Sequence, residues 1–288
     1  VMVQLADEDI ATREVLSWKG LHLFHFMGSS CSQKTRIFLN LKGIPWESHM
    51  LNLGASENFG AYYLGINPRG LVPCLIIDGE VHIESNDIMT LLDERYPEPK
   101  LIPAGREGEM DKLLHHEDDL HLDVRTITFR FTQPRGQAPR SEEALAKYRA
   151  GGTGTVLGIE DAKKQREIDF WERIARDGIT DEAIQVSAGK FRAALDDLDA
   201  TLAGNDYLLG EDLSVLDIAW FIYTNRLKLC GYPVARLHPN VVTWFQGLYG
   251  RGEFVREIPM DPKIQALIDE NHRAQEAAGQ TLELVAGL

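Results

Sequence analysis

Three small nucleophiles stand side by side as Ser29-Ser30-Cys31, within the stretch Met27-Gly28-Ser29-Ser30-Cys31-Ser32-Gln33-Lys34-Thr35-Arg36. Leu21, Leu23, Phe24 and Phe26 before it form an apolar segment of strand length. Gly28 and the two serines then supply a break and the capping hydroxyls that favour a helix start. Cys31 falls in the first helical turn, where unpaired backbone N–H groups and the positive end of the helix dipole stabilise an anion, whether a protein thiolate or the thiolate of a ligand. Taken alone, the turn reads more simply as a cap, with Ser29 or Ser30 closing the helix and Cys31 filling space. The elements around it must decide.

The chain has 288 residues, 44% of them apolar, enough for one large or two moderate domains with a sizeable core. A formal net charge of −14 argues against nucleic acid or an anionic membrane surface as the main partner, because both demand a basic face. Cys31, Cys74 and Cys230 are too few and too scattered for a disulfide framework, and no CxxC pair suggests zinc or a dithiol centre. A reducing, cytoplasmic setting fits, with no metal expected. No apolar run reaches the ~18 residues of a membrane span. Residues 1–20, with Asp7, Glu8, Asp9 and Glu14, lack the pattern of a signal peptide and read as a soluble extension.

Beyond the opening turn, Ile37, Phe38 and Leu41 share a helical face that stops at Gly43. Residues 46–53 suit a strand, 59–64 a short helix, and Asn67-Pro68-Arg69-Gly70 a turn. Residues 74–77 form a buried strand, Asp78-Gly79 is a hairpin signal, and 81–83 return. Ser85 opens a helix carrying Ile88, Leu91, Leu92 and Tyr96, which ends at Pro97. The order is βαβαββα over residues 21–97, and the Pro/Gly-rich stretch 98–108 reads as a linker. Residues 109–262 then read as all-helical, with one helix over 109–131 and others over 160–176, 181–202, 214–229 and 239–250. A Pro/Gly-rich insertion around 133–158 reads as a functional loop or a partly disordered one. Residues 263–288 look like a final helix and a weakly packed tail. His115 and His116 lie on an acidic helix and read as solvated, and the remaining histidines have no ligand-like spacing.

Asn67-Pro-x-Gly70 before Val72-Pro73, then a hairpin, then Glu84-Ser85 opening a helix, is common piecewise and rare in this order. With Ser214-Val-Leu-Asp217 as a buried capping box, the chain resembles the soluble glutathione transferase superfamily over residues 20–260. The resemblance implies an α/β thioredoxin-like N-terminal domain followed by an all-α C-terminal domain that forms the substrate pocket. It also implies glutathione as cosubstrate, a homodimer, and an enzyme of detoxification or aromatic-compound degradation. Val72-Pro73 looks like the family's cis-proline, with Val72 backbone groups pairing with the cysteinyl part of glutathione. Ser85 would bind the γ-glutamyl carboxylate and Glu84 its ammonium. One departure is Leu71, where many members carry a polar or basic side chain reaching the glycine carboxylate. Lys34, Arg36, Lys42 or Arg69 would have to replace it. Asp217 reads as structural, and Trp220, Tyr223, Trp244, Phe129 and Phe131 as core more than substrate wall.

Members differ in what faces the glutathione sulfur. A serine hydroxyl supports conjugation, whereas a cysteine forms a mixed disulfide and supports thiol transfer. Ser29, Ser30 and Cys31 keep both options open. The Ser-x-Cys-Ser spelling before Lys34-Thr-Arg36 is similar to bacterial members such as the tetrachlorohydroquinone reductive dehalogenase, and the general outline, with a long insertion in the helical domain, resembles bacterial glutathione-dependent aryl-ether-cleaving enzymes. The expected chemistry is attack of an activated glutathione thiolate on an apolar, aromatic electrophile. The alternatives are a Cys31-dependent oxidoreductase and a noncatalytic glutathione binder.

Overall fold

In the computed structural model, which describes residues 3–136 and 138–288, the apolar segment after Gly20 becomes strand β1 (Leu21–His25) and the small-residue turn leads into helix α1 (Ser30–Lys42). There follow β2 (Glu47–Met50), α2 (Ala61–Leu64), β3 (Cys74–Ile77), β4 (Glu80–Ile83) and α3 (Ser85–Arg95). The chain continues through α4 (Glu107–Asp119), α5 (His121–Thr132), α6 (Glu142–Ala150), a hairpin of β5 (Thr155–Val156) and β6 (Ile159–Glu160), and α7 (Ala162–Asp177). It ends with α8 (Asp181–Leu202), α9 (Val215–Leu229), α10 (Val234–Leu237), α11 (Pro239–Tyr249), α12 (Gly252–Val255), α13 (Pro262–Ala277) and α14 (Leu282–Ala286). No helix among the described residues is long and apolar enough to cross a membrane.

Two compact units result, one running up to Pro99 and including Ala138–Gly178, the other comprising Lys100–Gln137 and Ile179–Leu288. In the first, the sheet order is β2-β1-β3-β4, with β1 parallel to β2 and antiparallel to β3. This is the expected βαβαββα order. The N-terminal arm completes it. Leu5 N–H donates to Val81 O at 2.8 Å and Ile83 N–H to Val3 O at 3.1 Å, which covers the free edge of β4. Leu5, Ile10 and Val15 are buried in the same core as Phe24, Tyr63 and Ile76.

Residues 138–178 belong to this unit, whereas the sequence pattern assigned them to the helical domain. Tyr148 of α6 stacks on Phe59 at 4.1 Å with ring planes 8° apart, an arrangement worth about 0.5–1.5 kcal/mol beyond its area. Val156 of β5 enters the core beside Ile10 and Ile76. Asp9, fully buried, ties arm and hairpin together. It accepts hydrogen bonds from Ala6 N–H (2.9 Å), Leu157 N–H (2.7 Å), Gly158 N–H (2.9 Å) and the Thr155 hydroxyl (2.8 Å). Burial pushes the Asp9 carboxyl up, but these four bonds outweigh it and hold the group below its ordinary range. The predicted loop is therefore structured, because its Pro/Gly-rich turns deliver side chains to partners in the N-terminal residues that periodicity does not reveal.

In the second unit α9 is buried along most of its length and Asp217 sits at its head. Asp217 accepts from Ser214 N–H (2.9 Å), the Ser214 hydroxyl (2.7 Å), Leu208 N–H (2.9 Å) and Trp244 Nε1–H (2.9 Å). This is the buried capping box that the Ser214-x-x-Asp217 spacing suggests. Trp220, Tyr223, Trp244 and Phe131 are core residues, and His115 and His116 are exposed. Two local expectations change. The single helix over 109–131 is two helices that break at Leu120 (φ −87°, ψ 0°). Leu114, Leu120, Val124 and Ile127 stay buried through the break, so apolar periodicity could not reveal it. The C-terminal tail is packed, since Leu282 and Val285 of α14 are buried and α14 lies against α8.

Candidate functional site

Register brings the candidate residues to one edge of the sheet. Phe24 of β1 pairs with Cys74 of β3, and Cys74 pairs with Ile83 of β4. The exit of β1 toward Ser29, the entry of β3 after Val72-Pro73, and the exit of β4 into Glu84-Ser85 therefore lie side by side. Lys34 Nζ, 3.2 Å from Asn86 Oδ1, joins the second turn of α1 to the first turn of α3.

The turn is held by its own chemistry. Ser29 is the N-cap of α1, its Oγ accepting Ser32 N–H at 3.2 Å and its N–H donating to Phe26 O at 3.2 Å. Ser32 Oγ accepts Phe26 N–H at 3.3 Å, and Arg36 donates to Phe26 O (3.1 Å) and Met27 O (3.0 Å). Ser29, Ser30 and Cys31 stay half-buried on this fixed turn. Because Ser29 Oγ serves the cap as an acceptor, its hydroxyl proton is the one it offers to an approaching anion. Cys74 and Cys230 are buried, and burial pushes both thiols up, that of Cys230 to about 12.

The Val72-Pro73 bond is cis, as the resemblance implies. The loop before it is pinned from several sides. Asn67 Oδ1 accepts Arg69 N–H at 3.0 Å and Asn67 Nδ2 donates to Leu71 O at 2.8 Å. Tyr63, whose phenol burial pushes far up and so keeps as a donor, reaches the same Leu71 O at 2.5 Å. Gly70 has φ +62°, and a Cβ there would stand 3.0 Å from side-chain atoms of Leu64 and Tyr148, so both conformation and space call for glycine. Leu71 and Val72 are half-buried and Pro73 is buried.

Glu84 and Ser85 open α3, with Glu84 at φ 70°. A non-glycine residue in this region is uncommon and tends to be held where a site needs it. Ser85 is 6% exposed at the helix start. The Glu84 carboxylate has two cationic partners within the chain. Arg69 donates to Oε1, and Lys163, on α7, lies 2.6 Å from Oε2. Arg69 also grips Asp161, the N-cap of α7, through Nε at 2.8 Å and Nη2 at 3.0 Å. Burial alone would weaken both charges, yet the pairing prevails: the Asp161 carboxyl is held below its usual range and the Arg69 guanidinium above its own. A ligand ammonium captured by Glu84 would meet Lys163 at the same carboxylate. Asp161 and Lys163 were missed in the sequence, where the only signal was an Asp before an amphipathic helical pattern.

The basic residues suggested for the glycine carboxylate are largely committed. Arg36 clamps the turn and Arg69 the carboxylates. Lys42, at the other end of α1 and about 18 Å along the helix from Ser30, pairs with Asp93 and donates to Tyr96 O at 2.7 Å. Both side chains of the Lys42–Asp93 pair are fully buried. The fold therefore gathers Ser29, Ser30, Cys31, Leu71, Val72, Pro73, Glu84 and Ser85 at one edge and leaves Lys42 elsewhere as a structural residue.

Comparison with known proteins follows this division. The chain is 40% identical over 88 residues to maleylpyruvate isomerase of Ralstonia sp, a match covering 31% of this chain and 42% of that protein. The chain spans about two fifths of the length of the first curated relatives it matches. It is 24% identical to the tetrachloro-p-hydroquinone reductive dehalogenase of Sphingobium chlorophenolicum, over 81% of this chain and 93% of that one. Among solved structures, β-etherase LigF from Sphingobium sp. strain SYK-6 shares the fold at a TM-score of 0.66 and 24% identity, covering 82% of this chain and 98% of its own. Residues 28–95 match the model of the glutathione S-transferase N-terminal domain and residues 181–247 that of the glutathione S-transferase C-terminal domain. With both models matched in order, the sheet-edge site in the first unit and the α9 capping box in the second, residues 28–95 and 181–247 carry a glutathione S-transferase N-terminal domain and a glutathione S-transferase C-terminal domain.

Proposed function

We propose that the protein is a glutathione-dependent enzyme in which the turn Ser29–Cys31 receives the glutathione sulfur and directs its thiolate at an electrophilic, apolar and aromatic substrate. The observation that carries this reading is the hydroxyl-lined N-cap of α1, on one sheet edge with the cis Val72-Pro73 bond and Glu84-Ser85. Ser29 is the preferred thiolate partner. Its oxygen is oriented by Ser32 N–H, so its proton is presented at the positive end of the α1 dipole. A donor that lowers the thiol pKa raises the thiolate fraction at neutral pH. Val72 backbone groups would align the cysteinyl segment, and Ser85 with the α3 N-terminus would take the γ-glutamyl carboxylate. Ethers and aryl halides both suit such a nucleophile, and the dehalogenase relative supports a halogenated aromatic substrate. A homodimer belongs to the same reading, and light scattering checks it.

Alanine at Ser29, Ser30 and Cys31 in turn, assayed with chlorodinitrobenzene and glutathione, tests the proposal. Loss of an oriented donor is expected to lower kcat about 100-fold for Ser29→Ala. Unchanged rates in all three variants would remove the turn from the chemistry.

A second reading rests on Cys31, which is half-buried while Cys74 and Cys230 are buried. Its thiolate would attack oxidised glutathione, forming a Cys31–glutathione disulfide and releasing one glutathione thiolate. Intact mass spectrometry after incubation with oxidised glutathione reads this directly. An adduct retained in Cys31→Ala contradicts it.

A further inference from the structure

The paired strands β1 and β2 assemble a second cluster of chemistry-bearing side chains that the transferase reading does not use. His22 pairs with Glu47 across the parallel ladder, and the two-residue period of a strand returns His49 to the same face as Glu47. His22 Nδ1 lies 3.1 Å from His49 Nε2 and 3.4 Å from Glu47 Oε2, and the candidate donor atoms all fall within 4.8 Å of one another.

The rings are held for this arrangement. His22 Nε2 is 2.9 Å from the Lys19 carbonyl oxygen. A carbonyl only accepts, so Nε2 carries the proton and the Nδ1 lone pair faces the cluster. A backbone carbonyl that orients an imidazole through its other nitrogen is the usual support of a metal-binding histidine. His49 is stacked on Trp18 at 4.9 Å and on Phe24 at 4.7 Å, with interplanar angles of 20° and 24°. Glu47, its side chain 72% exposed, leaves an approach from solvent and can turn to close the site.

We propose that His22, His49 and Glu47 bind a divalent transition-metal ion of the zinc type, at a site separate from the glutathione-binding edge. With zinc–nitrogen bonds of about 2.0–2.1 Å, tetrahedral donors stand about 3.3 Å apart. The edges of 3.1 and 3.4 Å from His22 Nδ1 straddle that value. Two imidazoles with one carboxylate select zinc, cobalt, nickel or copper over calcium and magnesium, which prefer all-oxygen sets. The fourth position would be filled by water. The competing account is a plain His49 Nε2–H···Nδ1 His22 hydrogen bond with no ion.

The test titrates the metal-stripped protein with cobalt(II) alone and then with zinc(II). The expected result is one equivalent bound, visible bands of a four-coordinate centre without a thiolate charge-transfer band, and displacement by zinc. Glu47→Gln and His49→Gln should each weaken binding by about tenfold or more, while Cys31→Ala leaves it unchanged. Because Glu47 is exposed, its variant keeps the fold and remains decisive if His49→Gln does not. The proposal is overturned by the absence of stoichiometric binding, by undiminished affinity in Glu47→Gln, or by a thiolate band lost in Cys31→Ala. None of these outcomes depends on glutathione.

Discussion

Lys163 Nζ stands 2.6 Å from Glu84 Oε2, so α7 places an ammonium of the protein on the carboxylate that the family resemblance assigns to the ammonium of glutathione. If Glu84 takes that ammonium, the two cations compete for its carboxylate. Arg69 still satisfies Oε1 when Lys163 is removed. Lys163→Met is therefore expected to lower the KM for glutathione about two- to fivefold, the worth of a partly exposed ion pair. Steady-state kinetics at varied glutathione checks this, and a raised KM would mean that Lys163 itself holds the ligand.

Asp9 should behave as a clamp between the N-terminal arm and the β5–β6 hairpin. Asp9→Asn keeps one acceptor oxygen and turns the other into an N–H donor, so two of the four donors lose their acceptor, with an expected cost of about 2 kcal/mol in urea unfolding at pH 7. The folded-state carboxyl lies below its unfolded value of about 3.9. Its stabilisation is therefore complete above that value and is lost as the pH falls through the folded-state value. The gap between wild type and Asp9→Asn should narrow below about pH 4. A constant gap down to pH 3 would contradict the clamp.

Lys42 separates stability from chemistry. Lys42→Ala breaks the buried Lys42–Asp93 ion pair, and breaking such a pair costs about 3 kcal/mol or more. The KM for glutathione of the folded variant should stay at the wild-type value. A selective rise in KM without loss of stability would return Lys42 to the binding site.

The three cysteines should differ sharply in reactivity. Burial raises the thiols of Cys74 and Cys230, whereas Cys31 is half-buried in the first turn of α1. Iodoacetamide at pH 8 followed by peptide mapping is expected to label Cys31 alone in the native protein. Bound glutathione should slow that labelling if its sulfur lies on the same turn.

Much of this protein is legible in its sequence because the signals are local. The βαβαββα order follows from apolar run lengths, from the Asp78-Gly79 hairpin and from Ser85 and Pro97 at the ends of one helix. Ser29 as N-cap and the Ser214–Asp217 box are three-residue relationships, and short-range hydrogen bonds enforce them. The same locality makes the turn Met27–Arg36 legible in the sequence as the candidate site.

Tertiary structure alone decided what depends on partners far apart in the chain. Asp9 meets Gly158, Arg69 meets Asp161 and Glu84 meets Lys163, so residues 138–178 join the first unit although their pattern resembles the helical one. Lys42 was an available cation in the sequence and became a buried structural one when α3 brought Asp93 beside it. His22, Glu47 and His49 carry no metal-like spacing, yet strand pairing brings their donor atoms together. Periodicity reports which face of an element is apolar, and only the packing of those faces determines which polar groups lose water together and must satisfy one another.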